Sequence, residues 1–262
     1  MDYKQLQPLA SIHPDAKIGE GVKIGPFVTI EANVEIGDGT IIDSHAVICS
    51  GARIGKDCHI YSGAVISNLP QDLKFQGEDS VTFIGDRTSI REYATVHRGT
   101  ASKGETVVGS DCLIMAYSHV AHDCVVGNHV IMSNAVQLAG EVVVGDWAVI
   151  GGGALVHQFT LIGSHAMVQG GTQVVKDVPP FVLAGRIPLT FEGVNSIGLR
   201  RRGFTDDQIN IIQDVYRLLY HSQLNTRDAL AKIDAELQPT PERDAIVEFV
   251  RSSKRGTIRA SN

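Results

Sequence analysis

Aliphatic residues recur along this chain every six positions. From Ile12 the series runs unbroken through Ile18, Ile24, Ile30, Ile36, Ile42, Ile48, Ile54 and Ile60 to Ile66. It resumes at Ile84, Ile90 and Val96, then passes from Val108 through Ile114, Val120, Val126, Met132, Leu138, Val144, Ile150, Val156, Ile162 and Val168 to Val174. Four positions after these come small or β-branched residues, as at Ala16, Val28, Ala46, Ala64, Cys124, Ala148 and Ala166. Glycine often follows the aliphatic directly, as at Gly19, Gly37, Gly55, Gly109, Gly145 and Gly163. An amphipathic helix needs a period near 3.6 and an ordinary strand a period of 2. A period of six fits neither, but it fits short strands joined by tight corners. Three hexads then make one triangular coil of eighteen residues. The aliphatic fills the interior, the small residue fits near a corner, and glycine is read as supplying permissive backbone angles. Coils stack by parallel strand pairing at about 4.8 Å.

Two stretches break the pattern. Residues 68–83 and 98–107 carry charge and glycine where an aliphatic is due, and insertions into a solenoid leave as loops, often on the binding face. The repeat stops at Asp177-Val178-Pro179-Pro180. Beyond it, Thr205-Asp-Asp-Gln208 reads as a capping box followed by Ile209, Ile212, Val215, Leu218 and Leu219 at helical spacing. A second helix is predicted after Thr226, and a third from Pro241 with Thr240 as its cap. The expected organisation is all-β plus a small α part. Residues 1–190 are a parallel β-helix with its two loop insertions, and residues 191–262 are a helical domain.

Composition narrows the function classes. A net charge of −6 carries no nucleic-acid footprint, and no apolar run approaches a membrane span. The first residues, MDYKQLQPLASIHPDA, contain no apolar stretch of the kind a signal peptide needs. The four cysteines (Cys49, Cys58, Cys112 and Cys124) form no CxxC pair or zinc-like spacing and read as buried thiols of a reducing compartment. A cytoplasmic protein is expected.

Candidate chemistry lies among the ten histidines. His13, His45, His59, His129, His165 and His221 stand alone among ordinary residues and are read as surface or corner positions. The others lie in denser strings: His97 in TVHRGT, His119 and His122 in SHVAHDC, His157 in LVHQF. Stepping eighteen residues from His122 reaches Gly140, and another eighteen reaches Gln158, so these should stack along one wall. Asp123, Glu141 and Phe159 form the adjacent column, beside His157. An imidazole, two carboxylates, an amide and an unobstructed glycine N–H on one wall suit acyl transfer. That reaction needs a base to deprotonate a hydroxyl and an N–H donor for the developing oxyanion. Two other readings remain open at this point: a zinc site of the γ-class carbonic-anhydrase kind, for which His119 and His122 are poorly spaced, and a non-catalytic β-helix scaffold.

The hexad pattern resembles the hexapeptide-repeat acyltransferases, a resemblance that implies a left-handed coil. The ordered strings N-L-P-Q-D-L-K-F-Q-G-E, V-H-R-G-T, S-H-V-A-H-D-C, V-H-Q-F and G-V-N…L-R-R-R-G-F resemble, more narrowly, the UDP-N-acetylglucosamine O-acyltransferases of lipid A biosynthesis. They span nearly the whole chain. The sister N-acyltransferases share the repeat without the QDLK loop or the RRGF tail. The resemblance implies His122 as general base, Asp123 as its orienting partner and the Gly140 N–H as oxyanion donor. It implies substrate contacts at Asp72, Lys74, His97, His119, His157 and Gln158. It places Asn195, Arg201 and Arg202 at the nucleotide phosphates, and Gly170 as a floor that limits acyl-chain length. It also implies a homotrimer with sites between neighbouring coils, UDP-N-acetylglucosamine as acceptor, and acyl carrier protein as donor. That acidic protein would dock on a basic patch, with Arg186, Arg200, Arg201 and Arg202 as candidates. The phosphopantetheine arrives on the carrier, so no metal or other cofactor is implied. Leu138-Ala-Gly-Glu141 departs from the family pattern, which ends in histidine here. A carboxylate at Glu141 would repel phosphate and favour an amine, which brings the 3-amino analogue of the sugar and N-acyl transfer into consideration.

Overall fold

The computed structural model describes residues 7–260; residues 1–6, on which part of the no-leader expectation rests, and residues 261–262 lie outside them. The described residues wind into a parallel β-helix whose strands fall into sheets of nine, eight and eleven. It is the left-handed form expected. Most strands are two residues long, with the hexad aliphatic second and facing inward. The interior ladder is apolar: Ile30, Ile42, Ile60, Ile90, Ile114, Leu138 and Ile150 are all buried. Pairing is in register coil upon coil, as in Thr95 to His119 to Gln137 to Leu155 to Gln173 on the nine-stranded sheet.

The corners correct one expectation. Gly145 and Gly163 do not supply left-handed angles. A Cβ on Gly145 would stand 2.5 Å from the Ser164 nitrogen, and one on Gly163 would stand 2.4 Å from that of Pro180. They are glycine because the next coil passes too close. The left-handed angle falls two residues later, mostly on side-chain-bearing residues: Asp123, Glu141 and Phe159 at one edge, and His129, Trp147 and His165 at the next, all with φ between 56° and 63°.

Both insertions replace corners on one edge, the one joining the nine- and eight-stranded sheets. They are shorter than the sequence suggests, because Val81–Ile84 and Glu105–Val108 are four-residue strands paired in register. The true loops are residues 69–80 (the first loop) and 98–104 (the second loop).

Past the last full coil, Val182–Gly185 and Thr190–Val194 form an antiparallel hairpin on the eleven-stranded sheet, and Arg259–Ala260 adds beside it. Between them run α1 (Ser196–Arg201), α2 (Asp206–His221), α3 (Thr226–Glu236) and α4 (Pro241–Ser252). The Thr205–Gln208 capping box and the Thr240 cap form as expected, α3 begins at Thr226 itself with Asn225 as its cap, and α1 carries no sequence signal strong enough to anticipate. Helix α2 lays Ile209, Ile212, Val215 and Tyr216 onto the coil's end, and the Tyr216 hydroxyl donates to the Pro180 carbonyl at 2.5 Å. Buried Asp177 ties in the tail by accepting from Ser253 Oγ at 2.6 Å and Leu161 N at 2.9 Å. A solenoid end needs such a cover, since it would otherwise expose apolar interior and unpaired strand edges.

Candidate active site

The edge that carries the insertions also carries His122. Its Nδ1 lies 2.7 Å from Asp123 Oδ2. Asp123 is fully buried, and its carboxylate also accepts from Thr100 Oγ1 at 2.6 Å, Thr100 N at 2.9 Å and Lys103 N at 3.2 Å. Burial would raise the pKa of this carboxyl, but the hydrogen bonds from Thr100, His122 and Lys103 outweigh it and hold it below the usual carboxylate range. An ionised Asp123 requires Nδ1 to donate, which leaves the lone pair of His122 on Nε2.

That nitrogen lies over Gly140. A Cβ at position 140 would stand 2.6 Å from His122 Nε2, so only glycine leaves the ring its place. Among the described residues no acceptor takes the Gly140 N–H, while its carbonyl accepts from Phe159 N at 3.1 Å. A base nitrogen and a free N–H donor thus share one coil step.

His119 and His97 line the same wall. Thr95 Oγ1 sits 2.7 Å from His119 Nδ1, and the His97 and His119 rings meet edge to face at 4.8 Å. Burial, then the neighbouring His119 and His122, push His97 down to about 4; burial and His122 lower His119 as well. The buried Nδ1 of His97 has no hydrogen-bond partner among the described residues. Glu141, one coil beyond Asp123, accepts from Ser102 Oγ at 3.0 Å. His157 and Gln158 are exposed further along, with His157 Nδ1 3.0 Å from the Gln158 carbonyl. In the first loop, Asp72 turns the chain by accepting from Lys74 N at 2.9 Å, and the Lys74 side chain is exposed. Glu78 of that loop accepts from Ala101 N at 2.9 Å, joining the two loops. Among the described residues no group of three or more His, Cys, Asp or Glu is placed to hold a metal ion.

The nucleotide candidates lie on the next edge. There His129, Trp147, His165 and Phe181 stack in sequence, with ring centroids 3.9, 6.3 and 5.5 Å apart. Arg202 lies over Trp147 at 5.5 Å and brings Nη1 within 3.4 Å of His165 Nδ1. Burial first, then the Arg202 charge, hold His165 at about 4, so it stays neutral and can accept from the guanidinium. Asn195 uses both ends of its amide within the protein, capping α1 through Gly198 N and donating to the His165 carbonyl at 3.0 Å. Arg201 is exposed beside them.

Comparison with known proteins decides the lineage. Residues 177–258 match the family model described as UDP N-acetylglucosamine O-acyltransferase, domain 2; residues 105–136 match the bacterial transferase hexapeptide model; and residues 6–100 match a GMPPB C-terminal domain model. The acyl-[acyl-carrier-protein]–UDP-N-acetylglucosamine O-acyltransferase of Trichlorobacter lovleyi is 56% identical over 95% of this chain and 97% of its own. Its counterpart in Chlorobaculum parvum is 56% identical over 96% of each chain. A crystal structure of a UDP-N-acetylglucosamine acyltransferase from Bacteroides fragilis superposes with a TM-score of 0.95 at 51% identity, covering 96% of this chain and 99% of that one. The chain belongs to the UDP-N-acetylglucosamine O-acyltransferase family.

Within this member of the family, the structure gathers His97, His119, His122, Asp123, Gly140, Glu141, His157 and Gln158 on one edge and its adjoining wall. It does not bring Asn195 or Arg202 to them, because those attach to the neighbouring edge. Gly170 lies beside Gly171 at the third edge, where its Cβ would meet the Gly152 carbonyl at 2.8 Å, so it has a packing reason of its own. Several participants were not foreseen. Thr100 and Lys103 reach Asp123 across an insertion, Arg255 donates to the Gln158 carbonyl at 2.9 Å from the far end of the chain, and His129 and His165 join Trp147 in the ring stack rather than standing as isolated corners. Trp147 is the only tryptophan in the sequence, and that was the one available signal for its edge.

Proposed function

We propose that this chain transfers a 3-hydroxyacyl group from acyl carrier protein to the 3-hydroxyl of UDP-N-acetylglucosamine, the first step of lipid A biosynthesis, with His122 as general base. The observation that carries the mechanism is the His122–Asp123 pair set against the free N–H of Gly140. Nε2 takes the proton of the sugar hydroxyl as its oxygen attacks the thioester carbonyl. The Gly140 N–H donates to the resulting oxyanion, and Asp123 balances the imidazolium. Collapse expels the pantetheine thiolate, which recovers the proton from His122. His97, His119, Gln158, Asp72 and Lys74 are the residues on this edge and its first loop available to position the sugar and donor.

The working unit is a homotrimer. Within one chain, the base, the Asn195–Arg202 pair and Gly170 lie on three different edges, so a single coil cannot present them to one substrate. Neighbouring coils packed side by side can. An outward stripe on the eleven-stranded sheet, Leu113, Ile131, Val149, Met167 and Leu183 in register, suits such packing. Arg186 and Arg200 are paired with Glu192 and Asp206, which leaves Arg201 and Arg202 as the freer cations for the nucleotide phosphates or the acidic carrier. The enzyme is read as cytoplasmic, a reading supported by its four free, buried cysteines; among the described residues no helix is long and apolar enough to cross a membrane.

The test is incubation with 3-hydroxyacyl carrier protein and UDP-N-acetylglucosamine, followed by mass spectrometry of the nucleotide sugar. An O-acylated product is expected, and its absence from active carrier thioester overturns the reading. Because Glu141 places a carboxylate one coil beyond Asp123, the 3-amino sugar belongs in the same assay as a competing acceptor.

A further inference from the structure

We infer that Thr100 is a positioning residue for the transfer reaction, fixing through its hydroxyl and its backbone N–H the carboxylate orientation that His122 requires. The inference rests on the reading of His122 and Asp123 as the reacting pair.

Asp123 sits at a corner, with no exposed surface and a left-handed backbone. In a coil of unbroken hexads its neighbour along the edge would be another tight corner. Here that corner is the second loop. Thr100 lies 23 positions before Asp123, yet its hydroxyl reaches Oδ2 at 2.6 Å and its N–H reaches Oδ1 at 2.9 Å. Oδ2 is the same oxygen that faces His122 Nδ1 at 2.7 Å. Thr100 thus donates to both oxygens, Lys103 N adds a longer bond to Oδ1 at 3.2 Å, and together they set the carboxylate plane that aims the imidazole at the space above Gly140. The hydroxyl is itself oriented. Ser102 N donates into Thr100 Oγ1 at 3.2 Å, so the Thr100 proton is directed at Asp123.

The loop and the strand that follows it also hold the backbone of Asp123. Lys103 Nζ donates to its carbonyl at 2.8 Å, and the Asp123 N–H donates to Thr106 Oγ1 at 2.8 Å. Those bonds fix where the residue is, whereas the Thr100 hydroxyl is the donor that shares Oδ2, the oxygen facing the ring, with His122. A buried anion stripped of one donor keeps its charge but relaxes towards its remaining partners. The cost should therefore fall on the reaction step rather than on substrate binding.

The test compares Thr100→Val, Thr100→Ser and His122→Ala in the full-length protein, with steady-state kinetics for both substrates and ¹⁵N-histidine spectra that report the tautomer of His122. For Thr100→Val we expect kcat to fall about ten- to hundredfold, as for loss of a hydrogen bond to a charged group, with both KM values within about twofold of the parent. The His122 ring should keep its proton on Nδ1, facing the charged carboxylate, while its ¹⁵N–H signal shifts and broadens as that carboxylate loses its fixed plane. Thr100→Ser, which keeps the hydroxyl, should restore kcat to within about threefold. Unchanged kcat in Thr100→Val, a Ser variant as impaired as the Val variant, or a loss confined to KM each overturns the inference. Full activity in His122→Ala would instead bring down the underlying reading, while the histidine spectra of the Thr100 variants would still tell whether Thr100 controls the pair.

Discussion

The edge that carries His122 and the edge that carries Trp147 are six residues apart in every coil and are built from the same hexads. The first is interrupted twice, and it buries an ionised carboxylate among donors supplied by a loop. The second runs unbroken from His129 to Phe181 as a stack of rings, with Arg202 laid across it. Stacking is local and repeats with the coil, so it yields a flat, firm wall suited to binding. A buried charge demands several donors at set angles, and at Asp123 three of them come from Thr100 and Lys103. The edge that carries His122 therefore takes them from inserted chain.

This division can be broken by kinetics. His122→Ala should have the largest effect, lowering kcat about 10²–10⁴-fold while the protein stays folded by circular dichroism. Near-normal turnover would detach chemistry from that edge altogether. Arg202→Ala should raise KM for the nucleotide sugar roughly tenfold, as loss of a charge-assisted contact, and leave kcat within a few-fold. If kcat falls instead, the ring-stacked edge takes part in more than binding.

Acid should weaken both edges together. His97 on one and His165 on the other are each held at about 4, against an ordinary value of 6.5. Below pH 6.5 the unfolded chain takes up protons that the folded chain refuses, so stability is full above that value and declines as the pH falls towards about 4. Melting temperatures across this window should drop steadily. His165→Phe, which preserves a ring in the stack, should flatten the slope, and an unaltered slope would locate the proton uptake elsewhere. The smallest effect concerns Gly170, on the third edge. Gly170→Met should disfavour longer acyl chains by up to about 0.8 kcal/mol per methylene excluded. It should also lower the melting temperature, because the new Cβ presses on the Gly152 carbonyl. A ladder of chain lengths separates the two consequences, and an unchanged length preference would leave the packing role alone.

Much of this was legible beforehand because a solenoid turns spatial adjacency into arithmetic. Eighteen-residue steps place Gly140 against His122 without any coordinates, and the ring does lie there. The arithmetic fails wherever the count is interrupted. Thr100 meets Asp123 over 23 residues and Arg255 meets Gln158 over 97, separations that no period contains. The Arg202–Trp147 contact is likewise invisible, since it depends on how a helical tail folds back over the coil. The glycines after each aliphatic were recognised as special for the wrong reason. Their φ angles are ordinary, and only the spacing between coils reveals why a Cβ is forbidden.

The insertions leave and rejoin the coil at a corner, and strand pairing on either side is kept: Val65 still faces Val47, and Thr82 still faces Ala52. The scaffold thus counts turns rather than residues at this edge, which makes the edge a socket. Doubling the length of a flexible loop costs only about 0.6 kcal/mol of closure entropy. A longer segment with different recognition chemistry could therefore be grafted in place of residues 98–104 without disturbing the sheets, provided donors in it still reached both oxygens of Asp123.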